Sequence, residues 1–110
     1  MTYIEIAGVR YPAHILGRTR DTDWNDRKSK AITLEMTCAD ATALFVDGLA
    51  WSIVYETENQ AGETVTEVYD NSEYDVAGPV TDNRDGTVTV KMGVMTDGEA
   101  LAELKEVLAQ

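Results

Sequence analysis

The feature that most constrains this chain is an alternation of apolar and polar residues that returns repeatedly between turn-forming residues. In residues 30–37, KAITLEMT, the apolar Ile32, Leu34 and Met36 occupy every second position. Successive side chains of a strand point to opposite faces of a sheet, so this spacing predicts a strand with one buried face. Two more alternating runs, at 80–82 and 87–92, flank NRDG, a strong hairpin signal. The pattern therefore favours antiparallel neighbours.

Further runs of the same kind predict strands at about 2–7, 9–16, 51–56, 64–69 and 73–77. Two other segments repeat apolar residues at helical spacing. Thr37-x-x-Asp40 is a capping-box pattern before a helix at about 38–47, and Thr96-x-x-Glu99 is one before a helix at about 97–109. We therefore predict a single α+β domain over residues 1–110, with a curved, mainly antiparallel sheet of about six or seven strands and two short helices.

Three strand limits follow from local chemistry. Pro12 has no N–H to donate, so the strand that starts at Val9 is expected to lie at an edge or to end there, with 13–16 continuing it after a bend. The polar stretch DTDWNDRKSK, residues 21–30, is expected to connect to a strand that begins at Ala31. Residues 73–77 are expected to form a short strand of their own before Gly78-Pro79.

The net charge of −11 is unevenly distributed along the chain. Residues 1–30 hold six of the nine Lys and Arg residues and four acids, whereas residues 31–110 hold three cations and sixteen acids. An acidic surface of this extent repels phosphates, so nucleic-acid binding is disfavoured. Two interpretations stay open: the halves form unlike surfaces for head-to-tail assembly, or the acids simply keep a small domain in solution.

The stretch DTDWNDRKSK raises the question of a metal loop. Asp21, Asp23 and Asn25 match the first three ligand positions of an EF-hand, but Asp26 stands where glycine is needed and Ile32 where a bidentate glutamate should close the site. We predict no metal site here. The stretch is either a solvated connection or a partner-binding loop.

Trp24 within this stretch supports the binding interpretation. A bulky aromatic residue among exposed polar residues and cations is typical of an interface anchor, although the same side chain is equally compatible with folding back onto the core. The residues predicted to form an interaction surface are Trp24, Arg20, Arg27, Lys28 and Lys30.

An acidic run with two tyrosines, residues 67–75, is a second candidate for ion or ligand binding. It offers oxygen ligands in plenty, but their spacing matches no calcium motif, and a solvated loop is the alternative. We predict no metal or other cofactor for the chain.

Catalytic residues are not predicted. His14 is the single histidine and lies in an apolar stretch, where a partly buried structural role is expected. Cys38 is the single cysteine and is expected to act as a small buried hydrophobe. The serines have no nucleophile-elbow context: Ser29, Ser52 and Ser72. An enzyme needs a converging set of acid, base or nucleophile, and the pattern favours a protein that is not an enzyme.

No apolar run approaches the roughly 18 residues that a membrane span needs, so a membrane partner is not expected. The start of the chain, MTYIEIAGVRYP, has no basic region followed by an apolar stretch, which predicts no secretory signal.

Three segments carry a resemblance: DTDWNDRKSKAITLEMT, ALFVDGLAWSIVYE and YDNSEYDVAGPVTDNRDGTVTVKMG. Together they resemble small prophage-encoded proteins of the tail and head-tail gene region, most of them of unknown function. The resemblance covers roughly residues 1–95 and rests on overall texture rather than on a functional motif. It implies a structural or assembly protein of a phage, near the tail or the head-tail joint, whose partners are other phage structural proteins or a second copy of itself. It also implies synthesis in the host cytoplasm followed by incorporation into the virion.

The alternative function is a small ligand- or ion-binding module, with carbohydrate as one ligand class, that uses exposed aromatic residues and acidic loops. Both functions are carried forward as predictions.

Overall fold

The computed structural model describes residues 1–96, 98, 99, 101 and 102. The elements with defined bounds within these described residues are seven strands, one α-helix and one short 3₁₀ turn over Thr22–Trp24. The elements are, in chain order, β1 (Thr2–Ile6), β2 (Val9–Asp21), β3 (Arg27–Leu34), α1 (Cys38–Leu44), β4 (Ser52–Glu58), β5 (Thr64–Asp70), β6 (Val76–Asp82) and β7 (Val88–Gly93). The predicted α+β class with a mainly antiparallel sheet is confirmed.

The strands form one sheet in the order β5-β4-β1-β2-β3-β7-β6, and every adjacent pair is antiparallel. Short turns make the hairpins. Ala7 and Gly8, both with positive φ, close β1–β2 in two residues, and the predicted Asp85-Gly86 hairpin joins β6 to β7. The two edges of the sheet are therefore β5 and β6.

Strand β2 joins the two halves of the sheet. It pairs with β1 from Val9 to Pro12 and with β3 from Ala13 onward. The predicted continuation of this strand through residues 13–16 is confirmed, but the expectation that it ends at Pro12 or is an edge strand is wrong. The backbone nitrogen of Pro12 faces the β3 side of the strand. Strand β3 ends at Leu34, which pairs with Ala13, so no β3 residue lies opposite Pro12. No ladder hydrogen bond is lost there, so the proline is tolerated inside the strand.

The core lies between one face of the sheet and a layer made of α1 and the adjoining loops. Ile4, Ile32, Val90 and Met92 are fully buried at the centre of this face. Trp51 is 2% exposed and closes the core from the other side, where its indole Nε1 donates to the carbonyl of Tyr74 at 3.0 Å. This hydrogen bond ties the loop before β4 to the loop after β5.

Helix α1 is shorter than predicted. The Thr37 side chain caps it by accepting from the Asp40 amide at 3.1 Å, but Phe45 is already extended, whereas the predicted end was residue 47. Asp47 instead accepts a bond from the Ala77 amide at 2.8 Å, which ties this segment to β6. The predicted helix at 97–109 lies largely outside the described residues, so two helices are not confirmed. Its capping box is present, because Thr96 Oγ1 accepts from the Glu99 amide at 3.3 Å.

Two predicted strand limits are wrong. Strand β3 begins at Arg27, four residues before the predicted start at Ala31, because the polar residues 27–30 pair with β2 and β7 on the way into the core. Strand β6 runs unbroken from Val76 to Asp82, so 73–77 is not a separate strand. A register shift between Ala77 and Val80 accommodates Gly78-Pro79 within it.

Candidate interaction surfaces

Trp24 folds back onto the sheet, but onto its outer face, the face opposite the core, and not onto the core as one of the two sequence interpretations had it. The 3₁₀ turn begins where the Asp21 carboxylate accepts from the Asp23 amide at 3.1 Å. The indole then lies on two glycines: a Cβ on Gly78 would be 2.6 Å from its Cη2, and one on Gly93 would be 2.9 Å from its Cζ3. The ring is half-buried. The absence of a side chain at both glycines leaves the space that the Trp24 ring occupies.

Arg27 is 4% exposed and is held from three sides. Its guanidinium lies 4.5 Å from the centre of the Trp24 ring and donates to the carbonyl of Val94 at 2.9 Å. It also forms a two-point pair with the Glu99 carboxylate, at 2.6 and 3.0 Å. Arg27 thus clamps the chain beyond β7 to the sheet. Arg27 was predicted to be part of an interaction surface, but its charge is paired with Glu99 of the same chain.

Lys30 is also turned inward. It lies on the core face, 4.7 Å from the Tyr74 ring, and donates to the Oδ1 of buried Asn71. Burial lowers the pKa of the Lys30 ammonium. Because Asn71 follows β5 and Lys30 lies in β3, this contact shows that the two halves of the sheet curve toward each other.

Arg20 and Lys28 stay on the surface. Arg20 pairs with Asp26 at 2.9 Å, and both side chains are mostly exposed. Lys28 is exposed, with its ammonium 5.3 Å from the Tyr74 ring. The predicted set therefore does not form one patch, since Trp24 and Arg27 lie on the outer face whereas Lys30 lies on the inner one.

Strand β5 is an open edge that the sequence interpretation missed. All seven of its residues are exposed. Just beyond the two ends of its ladder with β4, the Asn71 amide donates to the carbonyl of Trp51 and the Asn59 amide donates to the carbonyl of Glu63. Hydrogen-bonded pairs recur at every second residue of an antiparallel ladder, so odd-numbered residues of β5 bond to β4. The backbone groups of the even-numbered ones, such as Thr66 and Val68, therefore point outward.

Three of the exposed side chains on this edge are apolar or aromatic. Val65, Val68 and Tyr69 are 38%, 53% and 51% exposed. Between Thr64 and Asp70 there is no proline, lysine or bulge of the kind that protects edge strands from pairing. Strand β5 therefore presents both unpaired backbone donors and acceptors and exposed apolar side chains.

The opposite edge, β6, is protected. Pro79 lies within this strand, and the register shift between Ala77 and Val80 interrupts its ladder and bends it. One edge of this sheet is therefore irregular and the other is regular.

The distal half of β2 offers a second open edge. Strand β1 accompanies β2 only as far as Pro12, and among the described strands none lies beside that flank farther along. The Val94 amide donates a hydrogen bond to the carbonyl of Lys28. The backbone groups of even-numbered β3 residues therefore bond to β7, and those of odd-numbered β3 residues bond to β2. Even-numbered β2 residues consequently face β3, and the backbone groups of Ile15 and Gly17 face outward.

Exposed side chains accompany this second edge. Leu16 is 60% exposed, and Arg18 is exposed with no acidic side chain within ion-pair distance among the described residues. A register shift follows between Arg18 and Asp21 and ends the regular ladder.

The inner face also has a shallow concavity of about 400 Å³ beside β5. Tyr55 and Tyr69 form its aromatic wall, with ring centres 5.7 Å apart in an edge-to-face arrangement. The Tyr69 hydroxyl donates to Glu67 at 2.6 Å, which raises the pKa of that phenol. Lys30, Glu73 and Asn71 line the remainder. Part of the acidic run 67–75 therefore surrounds this concavity.

The first of the three residues that match EF-hand ligand positions is bound inside the protein. Asp21 is fully buried and is bound by Lys91 and Ser29. Asp26, which stands where an EF-hand needs glycine, binds Arg20. Within the described part of the chain, His, Cys, Asp and Glu side chains form no cluster of three that is suited to a metal ion.

The residues considered for catalysis lie apart. His14 is exposed, not partly buried as expected, because it points to the outer face of β2. Cys38 starts α1 and packs half-buried against the core. Ser29 donates to Asp21 and Ser72 to Asp70, while Ser52 lies in β4 opposite Glu5.

Comparisons with protein-family models, curated proteins and solved structures give no match for this chain. The helical segments within the described residues lack the length and apolar character of a membrane span.

Proposed function

We propose that this protein is a phage structural or assembly protein, of the tail or the head-tail joint, that acts by binding other proteins along the open edge of its sheet. The observation that carries the proposal is the contrast between the two edges: β5 presents a regular row of unpaired backbone groups with exposed Val68 and Tyr69, whereas a bulge between Ala77 and Val80 interrupts β6. Proteins normally protect such edges, and extended partner segments add to unprotected ones.

The assembly context comes from the resemblance of the sequence to prophage-encoded proteins of the tail region. An edge-binding domain suits that context, because a ring or tube needs contacts that repeat along its subunits rather than a cleft. The partners are accordingly phage structural proteins, further copies of this chain included.

The test uses a bacterial strain that carries the gene within an inducible prophage. Deletion of the gene should reduce the yield of complete particles, and mass spectrometry should detect the chain in purified particles or assembly intermediates. Complementation with Val68→Lys, which places a charge on the open edge, should fail to restore the yield. Complementation with Thr81→Lys, the matched change on exposed β6, should restore it.

An unchanged particle yield after deletion, together with absence of the chain from particles and intermediates, would contradict the proposal. Both Lys variants should first be shown to be folded by circular dichroism. Because both positions are exposed, neither change is expected to disturb the core.

A second candidate function is binding of a small ligand in the concavity beside β5. The specific observation is the edge-to-face pair of Tyr55 and Tyr69, which are 38% and 51% exposed, next to Lys30, Glu67 and Glu73. Aromatic walls with a few polar groups are typical of small-molecule sites. A ligand that binds the native state raises the melting temperature, so thermal unfolding with a panel of sugars and with calcium tests this function. Absence of any shift, or an equal shift for Tyr55→Ala, would contradict it.

A further inference from the structure

We infer that the partner on the open edge of β5 is the distal half of β2 in a second copy of this chain, so that copies join head to tail in a continuous antiparallel sheet. This inference rests on the proposed function and names its partner. Three features carry it: two open edges on one chain, a register that satisfies both, and opposite charges on the two edges.

The first feature is the matching direction of the backbone groups. Val68 and Asp70 of β5 point their N–H and C=O groups outward, and so do Ile15 and Gly17 of β2. An antiparallel register that pairs Val68 with the partner copy's Gly17 also pairs Asp70 with that copy's Ile15, as hydrogen-bonded pairs. The register of each edge strand with its own neighbour is unbroken over these residues, since the shift in β2 begins only after Arg18.

The second feature is the set of side chains that this register brings together. The non-hydrogen-bonded position between these pairs places Tyr69 opposite Leu16 of the other copy, and the next such position, beyond Val68, places Glu67 opposite Arg18. Tyr69 and Leu16 are 51% and 60% exposed in the single chain, and their contact would bury both. On the other face, Val68 meets Gly17, where an added Cβ would find nothing within 4 Å in the single chain.

The third feature is electrostatic. The open edge of β5 carries Glu67 and Asp70 and no cation, whereas distal β2 carries Arg18 and Arg20. Pairing β5 with β5 of a second copy around its centre would put Glu67 opposite Glu67, and like charges directly opposite each other destabilise a sheet. Pairing with β2 matches the charges instead.

The geometry has a consequence for assembly. Because the two joined surfaces differ, a joined pair still has one open edge of each kind: the first copy keeps its distal β2 and the second keeps its β5. Such a heterologous contact closes into a ring or continues as a filament, depending on the rotation between copies. Its strength should fall as salt is added, because the charge pairs lie at the surface.

Disulfide cross-linking tests the register. In a Cys38→Ser background, chains with Glu67→Cys are mixed with chains with Arg18→Cys under mild oxidation. Directly opposed residues at a non-hydrogen-bonded position have Cα atoms about 4.5 Å apart, within reach of a disulfide. We expect a cross-linked heterodimer as the main product. The matched control mixes Glu67→Cys with Glu35→Cys, an exposed site just after β3, and should give no enrichment.

Charge reversal tests the same contact without cysteines. Glu67→Arg and Arg18→Glu, each alone, should shift the protein toward monomer in light scattering, raising the concentration needed for association by roughly three- to tenfold. The double variant carries both reversed edges on one chain and should recover association. A purely structural effect would not be rescued in this way.

The inference and the proposed function fail differently. A strict monomer at high concentration and low salt, or Glu67→Cys chains that cross-link with one another in preference to Arg18→Cys chains, overturns head-to-tail pairing. The proposed function would still stand in that case if the Val68→Lys protein failed to support particle formation. If deletion left particle formation unchanged while head-to-tail cross-links formed, the proposed function would fail and the self-association would stand.

Discussion

Lys91 on β7 holds the buried carboxylate of Asp21 at the end of β2, with its Nζ 2.9 Å from Oδ2, although β3 runs between these two strands. The Ser29 hydroxyl and the Asp23 amide donate to the same carboxylate, each at 3.1 Å. The Lys91 ammonium is the main reason why the pKa of Asp21 lies below its ordinary value, while burial acts in the opposite direction. This carboxylate fixes the start of the turn that carries Trp24.

Replacement of Asp21 by Asn should lower the melting temperature at pH 7. The folded-state pKa of Asp21 is lower than its unfolded value, so the carboxylate stabilises the fold above the ordinary value of 3.8, and this stabilisation is lost as the pH falls through the folded-state pKa. The difference in melting temperature between the two proteins should therefore shrink at the lowest pH. Circular dichroism at pH 7, 5 and 3 measures it. Asp26→Asn is the control, because its exposed pair with Arg20 should contribute little, and equal losses at both positions would contradict the prediction.

Gly78→Ala should destabilise the protein by about 1–3 kcal/mol, the usual range for an added methylene in a packed site. Its Cβ would lie 2.6 Å from Trp24 Cη2 and 2.9 Å from the carbonyl oxygen of Lys91, and the second contact is with backbone that cannot rotate away. Urea unfolding measures the loss. Gly17→Ala is matched to it, because an added Cβ there meets nothing within 4 Å. Equal stability of the two variants would contradict the expected clash at Gly78.

Glu99→Gln should release the segment after β7 from the sheet without unfolding the protein. Its two-point pair with Arg27 and the bond from the Thr96 amide lower the pKa of Glu99 to about 2. The depressed pKa means that the pair is present above the ordinary value of 4.5 and is lost only as the pH falls toward about 2. Hydrogen exchange at the Thr96 amide should show constant protection from pH 7 to 5 in the native protein and reduced protection in the variant. Glu5→Gln, at an exposed pair with Arg10, should leave that amide unchanged.

Trp51→Phe should lower the free energy of unfolding by about 1–3 kcal/mol, because a buried hydrogen bond is lost and one partner is left behind. The indole nitrogen donates to the Tyr74 carbonyl at 3.0 Å in a buried position. Chemical denaturation followed by circular dichroism provides the measurement. Tyr3→Phe removes an exposed hydroxyl contact to the Met1 sulfur and is expected to have little effect. Comparable losses for the two variants would show that the Trp51 bond has no special importance.

Much of the fold is readable from residue order because strand periodicity and turn chemistry are local. The alternation at Ile32 and Leu34 predicted a buried strand face, and Asp85-Gly86 predicted a hairpin, and both are confirmed. The start of β3 at Arg27, the extension of β2 to Asp21 and its place between β1 and β3 were not predicted. They depend on whether a neighbouring strand is present to use each backbone group, which is a property of the whole sheet.

The surfaces were harder to predict than the elements. The cluster around Trp24 was singled out by composition, but whether the indole faces solvent depends on Gly78 and Gly93, which lie more than fifty residues away in the chain. The β5 edge gave one available signal, a β-branched run without proline or lysine. Its position at the end of the sheet is what turns that run into an exposed row of hydrogen-bonding groups.

The sequence by itself determined which segments become strands, where tight turns fall and how unevenly charge is distributed. The tertiary structure alone decided which strands are left without a neighbour, which cations are neutralised inside the molecule and which stay on an open edge. Arg27 and Arg18 are the same residue type in one polar region, yet one is 4% exposed and paired with Glu99 while the other stays exposed. The reason is that strand order and packing depend on contacts between residues distant in the chain, which periodicity cannot record.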